Sequence, residues 1–109
     1  MTHISLIALG DEMHPETEAS ATGLARRLVK ENGAFKQLVI RLRPGGSLPE
    51  HDNPGEATLL VLEGAVRFIE FNSGAVHELR TGDLLAVPQA RHSVEADEES
   101  LLLLSFAVA

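Results

Sequence analysis

The sequence predicts an all-β protein, a barrel of two packed antiparallel sheets preceded by an N-terminal arm or short helix. Turn signals recur at near-even intervals, strand-like runs lie between them, and 109 residues are enough for one such domain but not for two. The turns fall at Asn32-Gly33, Pro44-Gly45-Gly46, Pro54-Gly55, Glu63-Gly64, Asn72-Ser73-Gly74 and Thr81-Gly82-Asp83. The expected organisation is an arm over residues 1–23 and a barrel domain over 24–109.

In chain order, the polar stretch Asp11 to Ser20 is interrupted by Pro15 and reads equally as a short helix or an irregular arm. Arg26 to Lys30 and Phe35 to Leu42 form a hairpin across Asn32-Gly33. Further strands are expected at Thr58 to Leu62, Val66 to Phe71, Ala75 to Arg80, Leu84 to Val87, His92 to Ala96 and Leu101 to Val108. Two of these carry unbroken apolar runs, Leu59-Leu60-Val61-Leu62 and Leu101-Leu102-Leu103-Leu104, so both of their faces require cover. A barrel interior covers one face. A second sheet, the N-terminal arm or a partner subunit must cover the other, and the last of these makes a homodimer the expected assembly.

Composition narrows the partners. A net charge of −7 repels phosphate backbones and anionic lipid, so neither nucleic acid nor membrane is expected as a partner. The apolar run Ile4 to Leu9, interrupted by Ser5, lacks a basic flank and is too short for a signal or a span. With no Cys there is no disulfide, thiolate ligand or thiol nucleophile, which fits a cytoplasmic location. Tyr and Trp are absent too, leaving four Phe as the only aromatic residues besides His.

Two segments carry chemistry. Gly46-Ser47-Leu48-Pro49-Glu50-His51-Asp52-Asn53-Pro54-Gly55-Glu56-Ala57, running into Leu59 to Gly64, resembles the first motif of the cupin superfamily. Gly82-Asp83-Leu84-Leu85-Ala86-Val87-Pro88, then Arg91-His92-Ser93-Val94-Glu95-Ala96, is similar to the second. The resemblance implies a double-stranded β-helix, or jelly-roll, barrel of the kind found in small single-domain bacterial cupins of unassigned activity. Gly64, Gly82, Asp83 and Pro88 read as scaffold residues that make turns and end strands.

In metal-binding cupins the first motif supplies two histidines two residues apart and a carboxylate or carboxamide four residues later, and the second supplies a third histidine. On this resemblance His51 takes the first position, Asn53 the second, Ala57 the carboxylate position and His92 the last, with an interval from Pro88 one residue shorter than usual. A carboxamide is a weak ligand and a methyl none. Glu56 lies on the opposite face from Ala57 by strict alternation, and a bulge at Pro54-Gly55 would bring it back. The candidate ligand-binding residues are therefore His51, Asn53, Glu56 and His92, and the candidate metal ligands are His51, His92 and Glu56. The expectation is no tightly bound cofactor, the alternative being a divalent transition metal such as Fe, Ni, Zn or Mn. His3, His14 and His77 read as surface residues, and Asp97-Glu98-Glu99 as a solvated turn.

The preferred function is binding of a small organic ligand in the barrel, with His51, Asn53 and His92 as polar anchors. The alternative is a metal-dependent dioxygenase or isomerase using His51 and His92. A metal-free epimerase similar to cupins acting on nucleotide-linked sugars would lack its Tyr acid here, and a purely structural barrel is the remaining possibility.

Overall fold

A computed structural model describes residues 3–51 and 55–107, the side chains of residues 50 and 51 excepted. Among the described residues one helix, α1 (Leu6–Ala19), precedes nine strands: β1 (Leu24–Asn32), β2 (Phe35–Leu42), β3 (Ser47–His51), β4 (Ala57–Glu63), β5 (Ala65–Glu70), β6 (Val76–Arg80), β7 (Leu84–Ala86), β8 (His92–Ala96) and β9 (Ser100–Ala107). They form a five-stranded sheet ordered β1-β2-β9-β4-β7 and a four-stranded sheet ordered β3-β8-β5-β6, with every pairing antiparallel. The expected all-β fold and its hairpin across Asn32-Gly33 are present. β3 is an additional strand between the turns at Pro44-Gly45-Gly46 and Pro54-Gly55, and Val108 lies outside the described residues.

Alternation along the strands builds the interior. Ile40, Leu42, Leu59, Val61 and Leu102 from the larger sheet meet Val66, Phe68, Leu79, Val94 and Ala96 from the smaller one. This resolves the unbroken apolar runs: Leu59, Val61, Leu102 and Leu104 pack with the interior, whereas Leu62, Leu101 and Leu103 belong to a second cluster with Met13, Ala25 and Val39. The N-terminal arm supplies the cover for Leu101 through Met13.

That arm is a 14-residue helix that continues through Pro15. An interior proline costs a helix roughly 3 kcal/mol, yet Pro15 is on the solvent side, while Gly10, Met13 and Thr17, spaced i, i+3, i+7, are buried against the sheet. Docking of that stripe outweighs the local penalty. Gly10 allows a close approach of helix to sheet, since a Cβ there would meet the Leu101 methyls at 2.7 and 2.8 Å and push that side chain aside. Ser5 caps the helix start by accepting from the Ala8 amide, and Arg43 Nη1 donates to the carbonyls of Thr17 (2.7 Å) and Ser20 (2.9 Å) at its end.

Beneath α1, the nearly buried Arg41 donates to Glu99, whose Oε1 lies 3.0 Å from His14 Nδ1. Glu99 therefore departs from the solvated turn expected of Asp97-Glu98-Glu99, because a buried guanidinium needs a counter-charge. No helix among the described residues is long and apolar enough to cross a membrane.

Candidate functional site

The smaller sheet positions the residues of interest. On β8, His92, Val94 and Ala96 alternate inward, and all three are buried. The His92 ring stacks on Phe68, with centroids 4.4 Å apart and planes at 27°. Its Nδ1 lies 2.7 Å from the carbonyl oxygen of Ala90. A carbonyl only accepts, so Nδ1 carries a proton and donates. A backbone carbonyl thus fixes the ring orientation.

His51 reaches the same level through a register shift. Ser47 pairs with Glu95 and Leu48 with Val94, but the next pair is His51 with His92, so β3 spends three residues where β8 spends two. The extra residue is a bulge at Pro49-Glu50, on an edge strand where a proline costs no ladder bond on its open side. Without it, Glu50 would stand opposite His92. On the other side of β8, His92 pairs with Glu70 of β5. His51, His92 and Glu70 therefore form one register row across three strands.

The remaining predicted site residues are placed differently. Asn53 lies outside the described residues. Glu56 is exposed just before β4, and its carbonyl accepts from the Ala107 amide at 2.8 Å. Ala57, at the family's carboxylate position, pairs with Phe106 and alternates with Leu59 and Val61, the inward residues of β4. Gln89 donates to the carbonyl of Gly55 at 2.7 Å, tying the two motif segments together.

The sequence reading missed a pair. His77 and Leu79 share the inner face of β6, and Glu70 shares that of β5 with Val66 and Phe68. His77 Nε2 lies 2.6 Å from Glu70 Oε2, and the His77 ring meets Phe68 edge-on at 5.9 Å. The pair is accessible: side-chain exposure is 37% for His77 and 15% for Glu70. The available signal was period-2 alternation, which places residue 77 with Leu79 and residue 70 with Phe68. On the outer face of the same sheet, Arg67 bonds Asp97 (2.9 Å) and Glu95 (3.2 Å), and the hydrogen bond to Asp97, followed by that group's charge, holds its guanidinium above its ordinary range.

A two-sheet jelly-roll barrel with paired motif histidines on adjacent strands defines the class. The cupin domain family matches residues 38–106, and the chain belongs to that family. Among solved structures, an RmlC-like cupin from Desulfovibrio desulfuricans is 30% identical, with 77% of this chain and 81% of that one covered and a TM-score of 0.69. KdgF from Halomonas sp. is 20% identical over 79% of each chain, with a TM-score of 0.70. A variant of salicylate 1,2-dioxygenase from Pseudoaminobacter salicylatoxidans, solved with gentisate, is 20% identical over 92% of this chain and 32% of that enzyme, with a TM-score of 0.78. The last two likenesses concern the fold alone. No curated protein matches.

At Ala57 the chain departs from the four-ligand set of metal-binding cupins. Ala57 presents a methyl where a carboxylate is needed, and no three His, Asp or Glu side chains among the described residues stand together so as to hold a metal ion.

Proposed function

We propose that this cupin is a ligand-binding module, holding a small organic molecule at the barrel end marked by His51 and His92 without a tightly bound metal. The observation that carries this reading is the state of His92. It is a buried imidazole on an aliphatic and aromatic wall, its ring oriented by the Ala90 carbonyl, in register with a second histidine. A pocket of apolar walls with a few fixed polar groups is the usual form of a small-molecule site. Asn53 and Glu56, on the segment leading from β3 to β4, complete the proposed contacts. The test is a fragment screen on tag-free protein, followed by titration of the hits against His51→Ala and His92→Ala. Each substitution is expected to weaken binding about tenfold or more, which corresponds to about 1.4 kcal/mol. Unchanged affinity in both variants for every hit would refute the reading.

A second reading is a metal-dependent dioxygenase or isomerase with His51, His92 and Glu56 as ligands. The pairing of His51 with His92 supports it, whereas the exposure of Glu56 and the methyl of Ala57 weigh against it. Bound metal would there act as a Lewis acid or oxygen activator.

We propose further that the protein acts in the cytoplasm as a homodimer. The absence of Cys supports the location. Exposed apolar side chains at Leu28, Phe35 and Leu84 support the assembly. A monomer in sedimentation at micromolar concentration would refute it.

A further inference from the structure

We infer that Asn32 is a site of spontaneous covalent modification, where the folded hairpin lets the side-chain carboxamide close onto the Gly33 amide and the residue become isoaspartate or aspartate. Water is the only co-reactant.

The chemistry sets three requirements: a carboxamide without a partner, a following amide that carries a hydrogen and is open to approach, and a backbone free to rotate between them. The chain has Asn at positions 32, 53 and 72. Asn53 precedes Pro54, whose nitrogen has no hydrogen to lose. Asn72 precedes Ser73, which carries a Cβ, and its turn is cross-braced. Gly74 donates to the Glu70 carbonyl at 3.0 Å, Glu70 to the Ala75 carbonyl at 2.9 Å, and the Ala75 amide to Ser73 Oγ at 3.1 Å.

Asn32 meets all three requirements. It ends β1 opposite Phe35, with Gly33 and Ala34 forming the turn between them, and all of these residues are exposed. A Cβ placed on Gly33 would meet nothing within 4 Å, so the amide is reached through open space. Among the described residues neither the Asn32 carboxamide nor the Gly33 amide has a hydrogen-bond partner. β1 is an edge strand, so the terminal pair with Phe35 is the restraint on rotation, and end pairs of this kind open at little cost.

In the first step the Gly33 nitrogen, having lost its proton to hydroxide, attacks Asn32 Cγ. The new N–Cγ bond forms, the bond from Cγ to the side-chain nitrogen breaks, and that nitrogen takes a proton from water and leaves as ammonia. In the second step water opens the resulting cyclic imide. Breaking the N–Cγ bond gives aspartate, whereas breaking the bond from the Gly33 nitrogen to the Asn32 main-chain carbonyl carbon gives isoaspartate, whose main chain runs through the former side chain. Either product adds a negative charge to the net −7, beside Glu31 and its partner Lys36 at 3.2 Å. Isoaspartate also lengthens the backbone by a methylene where Asn32 faces Phe35, so the last pair of the hairpin loses its register.

The test is mass spectrometry of the whole protein aged at mildly alkaline pH, beside the synthetic peptide Glu31-Asn32-Gly33-Ala34-Phe35 under the same conditions. The expected result is an acidic form with the amide nitrogen replaced by oxygen, mapped by fragmentation to residue 32, containing isoaspartate, and formed within about tenfold of the peptide's rate. Ammonia release should match it in amount. Asn32→Gln, its fold verified by a backbone spectrum, should lose this form, because the longer side chain must close a larger ring. Conversion at Asn72 as fast as at Asn32, or Asn32 left intact after the peptide has turned over completely, would overturn the inference.

Discussion

The ring of His92 rests on Phe68, with centroids 4.4 Å apart, and this contact joins the candidate site to the barrel core. Phe68 is 1% exposed and His92 3%, so the imidazole is packed as tightly as the hydrophobic residues around it. Stability and the proposed ligand binding therefore share one residue, and substitutions can separate them.

His92→Ala removes a stacked pair and strips the Ala90 carbonyl of its donor. Together these are expected to cost about 2 kcal/mol in urea unfolding. His92→Phe keeps a ring on Phe68 and should lose about 1 kcal/mol. Both variants should lose ligand binding. Wild-type affinity in His92→Phe would show that the imidazole acts only by packing.

Gly64 joins β4 to β5 at a φ of 105°, and a Cβ there would lie 2.5 Å from the Glu99 carbonyl and 2.3 Å from Ser100 Oγ. Backbone cannot yield as a side-chain end can. Gly64→Ala is expected to destabilise by about 2 kcal/mol or more, read as a lowered thermal midpoint, with m-values unchanged. A neutral effect would contradict the close approach.

Glu99 balances Arg41 beneath α1 and also engages His14. Breaking a fully buried pair costs about 3–5 kcal/mol. Glu99 is 35% exposed, however, and Glu63 remains 3.8 Å from the guanidinium, so Glu99→Ala should cost about 2 kcal/mol. Hydrogen exchange in α1 should rise with it, because the helix is tied to the sheet through the same carboxylate. Arg41→Met, which removes the buried charge, should cost less than Glu99→Ala. The reverse order would show that the guanidinium supports the fold independently of Glu99.

Metal content gives a separate measurement. After incubation with Fe, Ni, Zn or Mn and removal of excess, tag-free protein is expected to retain less than about a tenth of an equivalent. Near-stoichiometric retention, lost in His51→Ala and His92→Ala, would favour the enzyme reading.

The architecture was legible because turns and alternation are local signals. Gly64 and the hairpin at Asn32-Gly33 mark reversals that any packing must respect. The helix over Leu6–Ala19 was legible only as one of two alternatives, because its formation through Pro15 depends on Met13 and Thr17 finding the sheet, a tertiary term absent from local propensity. The motif histidines were legible as a pair, but the bulge at Pro49-Glu50 that brings His51 level with His92 is a matter of cross-strand register. His77 was misplaced for a related reason. Charged neighbours suggested a surface strand, while the decisive clue was its parity with Leu79, which becomes informative once Leu79 is known to face inward.

The most direct measurement is a high-resolution crystal structure of the protein as purified, inspected between the imidazoles of His51 and His92. The account predicts density for an organic molecule against His92, with no metal ion beside it. A metal-like peak about 2.0–2.3 Å from both imidazoles would contradict it.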